Sequence, residues 1–297
     1  MDSARLPEWM AIKPANTEKY SKIKSEIAAN GLHTVCAEAH CPNISECWGG
    51  GTATFMVLGD LCTRGCRFCS VPKSAAGRKI DADEPAKLSG VIKKWGLKYV
   101  VVTSVCRDDL EDQGSFHFAK CVEEIRKANP GTTIELLIPD FRNDDLCLKR
   151  ITDSNPEVIG HNIETVERLT SGIRDKRATY FQSIEILSKA KRFNPRIYTK
   201  SAIMLGLGES ESEVEKAMDD LRAAGVDFLA MGQYLRPSKF HAEVKEFIKP
   251  EKFARLKKLG LEKGFLYVAA GPFVRSSYRA DEVNSLIKYD SPANSYP

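Results

Sequence analysis

A chain of 297 residues with 42% hydrophobic and 28% charged residues can bury a sizeable core and is too ordinary in composition for general disorder. Its net charge is 44 − 40 = +4, with basic residues scattered rather than gathered in a tract, so charge does not announce a nucleic-acid partner. No stretch approaches the roughly 20 apolar residues of a membrane span, and the start, MDSARLPEWMAIKP, lacks the apolar centre of a secretion signal; a cytoplasmic protein with reduced cysteines is expected.

In chain order, residues 1–51 form an N-terminal extension, with a helix expected over 16–29 and then CAEAHCPNISEC, which carries Cys36, Cys41 and Cys47. From residue 52, short β-rich runs alternate with amphipathic stretches. Strands are expected at 52–59, 98–105, 133–140, 158–164, 197–206 and 228–235, and helices at 84–95, 115–128, 144–152, 178–192 and 211–224. Six βα repeats over 52–265 imply an α/β fold with a parallel barrel, complete or partly open. The remainder, 266–297, reads as one more strand (266–273), then VRSSYRADE, then a mobile terminus, KYDSPANSYP.

Polar residues collect where the strands end: Cys62, Cys66 and Cys69 after the first, Thr103 and Ser104 on the second, Asp140 on the third, Asn162 and Glu164 on the fourth, Gln233 on the sixth. In a parallel barrel those ends share one face, where chemistry belongs.

The nine cysteines are an odd count, and six stand in two incomplete ligand sets, C-x4-C-x5-C and C-x3-C-x2-C. Core packing suits Cys121 and Cys147 on their helices, but not thiols on a loop such as CTRGCRFC. Zinc would use Cys66 and Cys69 as a knuckle, yet no second knuckle exists, and His33 and His40 repeat no zinc-finger spacing.

C-x3-C-x2-C after a first strand, with Phe68 before the last cysteine, resembles the signature of the radical S-adenosyl-L-methionine (SAM) enzymes. The resemblance implies that Cys62, Cys66 and Cys69 hold three irons of a [4Fe-4S] cluster while SAM chelates the fourth. TSV (103–105) would meet the SAM amino group and SAIMLGLGE (201–209) its adenine, though a plain turn explains Gly206 and Gly208 almost as well.

CAEAHCPNISECW, LIPDF, HNIETVERL, IRDKRATY, MLGLGE, GQYLRPSKFH and GPFVRSSYRA together resemble the lipoyl synthases over nearly the whole chain. That resemblance implies a radical SAM (β/α)6 partial TIM barrel with terminal extensions. It also implies a second, auxiliary [4Fe-4S] cluster on Cys36, Cys41 and Cys47, closed by Ser277. The implied reaction inserts sulfur at C6 and C8 of an octanoyl chain on a lysine of a lipoyl-carrier domain, either a glycine cleavage H protein or a 2-oxoacid dehydrogenase E2 subunit. A reducing ferredoxin or flavodoxin and an iron-sulfur cluster carrier are the further partners, with no nucleic acid and no membrane. Thr103, Ser104, Asn162, Glu164, Gly206 and Gln233 are the implied cofactor contacts, and Arg275 is expected near the acyl-lysine amide. Two positions depart from the family: Cys106 stands where an acidic residue is usual, and Ala202 where glycine is common. Cys106 is expected to be a packing residue and no ligand. The rival readings are a biotin-synthase-like enzyme, a tRNA methylthiotransferase and a zinc-binding interaction module.

Overall fold

The computed structural model describes residues 6–10, 24–38, 41, 43–49, 52–278 and 282–289. Of the helix expected over 16–29, residues 24–29 are helical; 16–23, His40 and the segment after Tyr289 lie outside the described residues.

Eight strands make one sheet in sequence order: β1 (His33–Thr34), β2 (Thr52–Val57), β3 (Tyr99–Ser104), β4 (Thr133–Leu137), β5 (Val158–Gly160), β6 (Tyr198–Leu205), β7 (Phe228–Gln233) and β8 (Tyr267–Gly271). β1 is antiparallel to β2, and every later pair is parallel. All the expected strands form, the one at 266–273 as β8. The two-residue β1 carries no signal that periodicity could detect. β1 and β8 do not pair, so the barrel stays open between these edges.

The strands read as unbroken apolar runs because helices cover the sheet. Tyr99, Val100, Val101 and Val102, for example, are all fully buried. The helices are α1 (Val35–Glu38), α2 (Ile44–Gly49), α3 (Glu84–Trp95), α4 (Ser115–Ala128), α5 (Asp145–Asp153), α6 (Glu167–Ile173), α7 (Tyr180–Phe193), α8 (Glu211–Ala223), α9 (Pro250–Glu262) and α10 (Glu282–Tyr289). Their ends follow local chemistry. Pro85 sits in the first turn of α3, and Gly96 stops that helix in a left-handed conformation (φ 62°), its N–H bonded to Ile92 and Lys93 carbonyls. Ser210 and Glu213 form a reciprocal capping box at the start of α8. α10 closes the other end of the barrel: Val283 and Ile287 join the cluster of Tyr99, Val101, Val158 and Phe228, and Thr133 donates to Asn284 at 2.7 Å. None of the described helices is long and apolar enough to cross a membrane.

One interior row shapes the mouth. Ala202, Ala230 and Ala269 are register neighbours on β6, β7 and β8, and Val274 and Tyr278 of the loop after β8 pack on them. The departure at Ala202 therefore lies under the C-terminal loop.

Candidate active site at the strand ends

After β2 the chain turns sharply, with Leu58 and Gly59 both left-handed (φ 69° and 86°). The Leu58 N–H is held by the buried Glu84 carboxylate at 3.0 Å. The cysteine loop that follows is closed at its base by Cys62 N–H to Pro72 O (2.9 Å) and Ser74 N–H to Cys62 O (2.9 Å). Phe68 packs with Ile173, Leu207, Tyr234 and Ala242, anchoring the far end of the loop.

Beneath the loop lies a buried clamp that sequence reasoning did not assign. Arg64 forks both ways: Nε and Nη2 donate to the two Asp108 oxygens at 2.9 Å each, and Nη1 and Nη2 donate to Asp140. Asp108 follows β3 and Asp140 follows β4, so one guanidinium fastens the cysteine loop to two strand ends. The segment 173–178 grips the other side: Asp175 accepts from Gly65 N–H at 2.7 Å, and Arg177 donates to Thr63 O at 2.6 Å. His241 completes the cage. Its Nε2 donates to Cys69 O (3.0 Å) and its Nδ1 accepts from Ser238 (2.8 Å), which sets the tautomer.

All three thiols receive backbone donors, Cys62 from Arg64 N–H (3.4 Å), Cys66 from Asp175 N–H (3.3 Å) and Cys69 from Val71 N–H. Burial pushes the Cys66 thiol up and that of Cys69 up to about 12, so these sulfurs are held as thiolates when a cation takes the proton's place. Cys106 is not isolated packing. Its thiol donates a hydrogen bond to the Cys62 sulfur, which holds Cys62 below the ordinary thiol range and pushes Cys106 above it. Among the described residues, no three His, Cys, Asp or Glu side chains converge on the space of a single ion. Three thiols with N–H donors on a braced loop suit a larger, sulfur-bridged group.

The expected SAM contacts separate into two sets. Ser104 Oγ, at the end of β3, is buried without a hydrogen-bond partner among the described residues, so it can serve a ligand. Asn162 donates to Glu164 Oε1 at 3.2 Å, and Glu164, on a left-handed backbone (φ 68°), lies within electrostatic reach of Cys66 and Cys69; burial pushes its carboxyl up, and Arg174 nearby pulls it down. The other three are engaged with the protein. Thr103 Oγ1 donates to Leu137 O (2.7 Å). Gln233 donates to Tyr234 and Glu246 carbonyls (3.0 Å each) and accepts from Ile248 N–H (2.8 Å). A Cβ on Gly206 would lie 2.3 Å from Gln233 Nε2 and 2.4 Å from Glu246 O, so close protein packing already requires that glycine.

The second cysteine group packs on β2. Cys36 lies on α1 and Cys47 on α2, with Cys41 between them; burial pushes Cys36 up to about 11. Across the barrel's opening the C-terminal loop comes to meet this group. Asn43 donates to Phe273 O at 2.5 Å, and Thr54 donates to Ser277 Oγ at 2.8 Å. Arg275, expected near the acyl-lysine amide, carries its charge beside Cys41. Ser70 donates to Glu38 O (3.1 Å), joining the two cysteine groups through the backbone.

Residues 56–221 match the family model described as the radical SAM superfamily. A lipoyl synthase of Anaeromyxobacter dehalogenans (strain 2CP-C) is 51% identical over 280 residues, covering 94% of this chain and 95% of that one. A mitochondrial lipoyl synthase of Drosophila mojavensis is 52% identical over 283 residues, covering 94% and 78%. Among solved structures, methylornithine synthase superposes with a TM-score of 0.53 at 11% identity, covering 91% of this chain and 92% of that chain, a likeness of fold alone. On sequence, motif and architecture together, the chain belongs to the lipoyl synthase family of the radical SAM superfamily.

Proposed function

We propose that the chain inserts two sulfur atoms, at C6 and C8, into an octanoyl group held as an amide on a lysine of a lipoyl-carrier domain. In this reading Cys62, Cys66 and Cys69 carry the [4Fe-4S] cluster that binds SAM, and Cys36, Cys41 and Cys47 carry an auxiliary cluster with Ser277 as its fourth ligand. The observation that carries it is the meeting of Ser277 with the N-terminal cysteine group across the open barrel, through Thr54 and Asn43. A zinc module has no use for a serine brought there from the far end of the chain.

When bound, the first cluster supplies the electron that divides SAM and the second supplies sulfide. The chain's own residues do the positioning. Arg64 with Asp108 and Asp140 keeps the first cysteine loop in register with the strand ends. Ser104 and the Asn162–Glu164 pair offer polar groups for SAM, while Thr103, Gly206 and Gln233 act behind them by shaping the walls. Ser277 offers iron a hard oxygen, a weaker partner than thiolate. The nine thiols are all free, which fits a reducing compartment. A ferredoxin or flavodoxin as reductant and an iron-sulfur carrier complete the reading.

The test is anaerobic reconstitution with iron and sulfide, then incubation with SAM, a reductant and an octanoyl-lysine peptide. Mass spectrometry should find two sulfur atoms gained per peptide. SAM cleavage with no sulfur gained would overturn the reading.

A further inference from the structure

Ser277 is held by a residue to which neither motif nor family assigns a part. On β2, Phe55 faces α3, where its ring meets Trp95 at 5.9 Å, so Thr54 one position earlier faces the opposite side of the sheet. There Thr54 is only 3% exposed, and its hydroxyl donates to Ser277 Oγ at 2.8 Å. Its N–H and hydroxyl also lie against the Cys36 sulfur. Thr54 thus touches both halves of the second cysteine site.

The rest of the C-terminal loop has separate supports. Phe273 O is bound by Asn43. Val274 and Tyr278 rest on the Ala202, Ala230 and Ala269 row, and the Val274 carbonyl occupies the space that a side chain on Gly232 would need. These contacts bring the loop to the opening, but they leave the Ser277 side chain three staggered orientations. The Thr54 bond selects one of them.

We propose that Thr54 is a positioning residue for Ser277: its hydroxyl aims the Ser277 oxygen at the Cys36, Cys41 and Cys47 group and so sets how firmly that oxygen holds iron. The inference rests on the reading of Ser277 as a ligand. The oxygen has two lone pairs, so it can accept from Thr54 and bind a metal at once. Partners of this kind, which orient a ligand without touching the metal, typically alter metal affinity by about tenfold to a hundredfold.

The experiment compares the reconstituted parent with Thr54→Val, Thr54→Ser and Ser277→Ala, following iron captured by an excess of a strong chelator. In parallel, 5′-deoxyadenosine and thiolated peptide are measured in full reaction mixtures. Valine keeps the shape and removes the hydroxyl, and serine restores the hydroxyl. Thr54→Val should surrender iron about tenfold faster or more, raise the ratio of 5′-deoxyadenosine to inserted sulfur by a similar factor, and be rescued by Thr54→Ser. If Thr54→Val does not fold, Thr54→Ala removes the same hydroxyl without the branched methyl and takes its place. Fast iron loss from Ser277→Ala with parent-like retention in Thr54→Val would overturn the positioning role alone. Parent-like retention in Ser277→Ala would overturn the ligand assignment, and this inference with it.

Discussion

Replacing Arg64 by Met would test whether the clamp beneath the first cysteine loop holds the fold as well as the loop. The side chains involved are 3% (Arg64), 4% (Asp108) and 1% (Asp140) exposed, so the substitution leaves two carboxylates facing each other away from water. Breaking a buried pair by removing one partner costs about 3–5 kcal/mol. Arg142 and Arg177 still reach Asp108, at 3.0 and 3.3 Å, and soften its share of the loss. Asp140 keeps no second guanidinium among the described residues, only the Arg142 N–H at 2.9 Å and the neighbouring His161, which burial keeps neutral by lowering its pKa to about 4. A loss near 3 kcal/mol is therefore expected, measured as the shift in urea unfolding free energy of the cluster-free protein at pH 8.

The pH dependence gives a second check. In the parent, burial raises the Asp108 and Asp140 carboxyls but Arg64 outweighs it and holds both below the usual range. A carboxyl with a depressed folded value adds stability above its unfolded value of about 4, and that stability is lost as pH falls through the folded value. In Arg64→Met the sign reverses for Asp140, since burial without the guanidinium raises its carboxyl, which then takes a proton on mild acidification. The gap between parent and variant should therefore narrow from pH 8 to pH 5. A gap below about 1 kcal/mol, the range of an exposed pair, or one that does not change with pH, would refute the reasoning.

Cys66→Ala should abolish 5′-deoxyadenosine formation, because the Asp175 N–H then faces no sulfur and the first triplet is incomplete; cleavage at the parent rate would sink the assignment. Cys106→Ser should retain the parent's full iron and sulfide, since the thiol of Cys106 serves Cys62 rather than a cluster, and loss of about half the iron on chemical analysis would reveal a missed ligand. Gly232→Ala would set a methyl 1.9 Å from the Val274 carbonyl and lift the C-terminal loop from its seat. Sulfur insertion, read by mass spectrometry of the peptide, should fall at least tenfold in this variant, in keeping with the loss of a group that orients a ligand.

What the sequence determined by itself was local. The C-x3-C-x2-C spacing, the second triplet and the helices at 84–95 and 115–128 follow from neighbours a few residues apart, where backbone geometry ties spacing directly to structure. The strands were legible for the same reason, although β5 stops at Gly160, earlier than its apolar run suggested. Which strand ends face one another is a different kind of fact. Arg64 finds Asp108 and Asp140 from 44 and 76 residues away, and Thr54 finds Ser277 from 223, because closing the βα units around an open barrel makes neighbours of remote segments. Gln233 looked like a ligand contact at a strand end, yet the loop over it supplied backbone partners for every polar atom. Arg275, seven residues before α10 begins at Glu282, came to Cys41 only because the C-terminal loop crosses the gap between β8 and β1. Such pairings depend on long-range register and the space between side chains, which no pattern of neighbouring residues encodes.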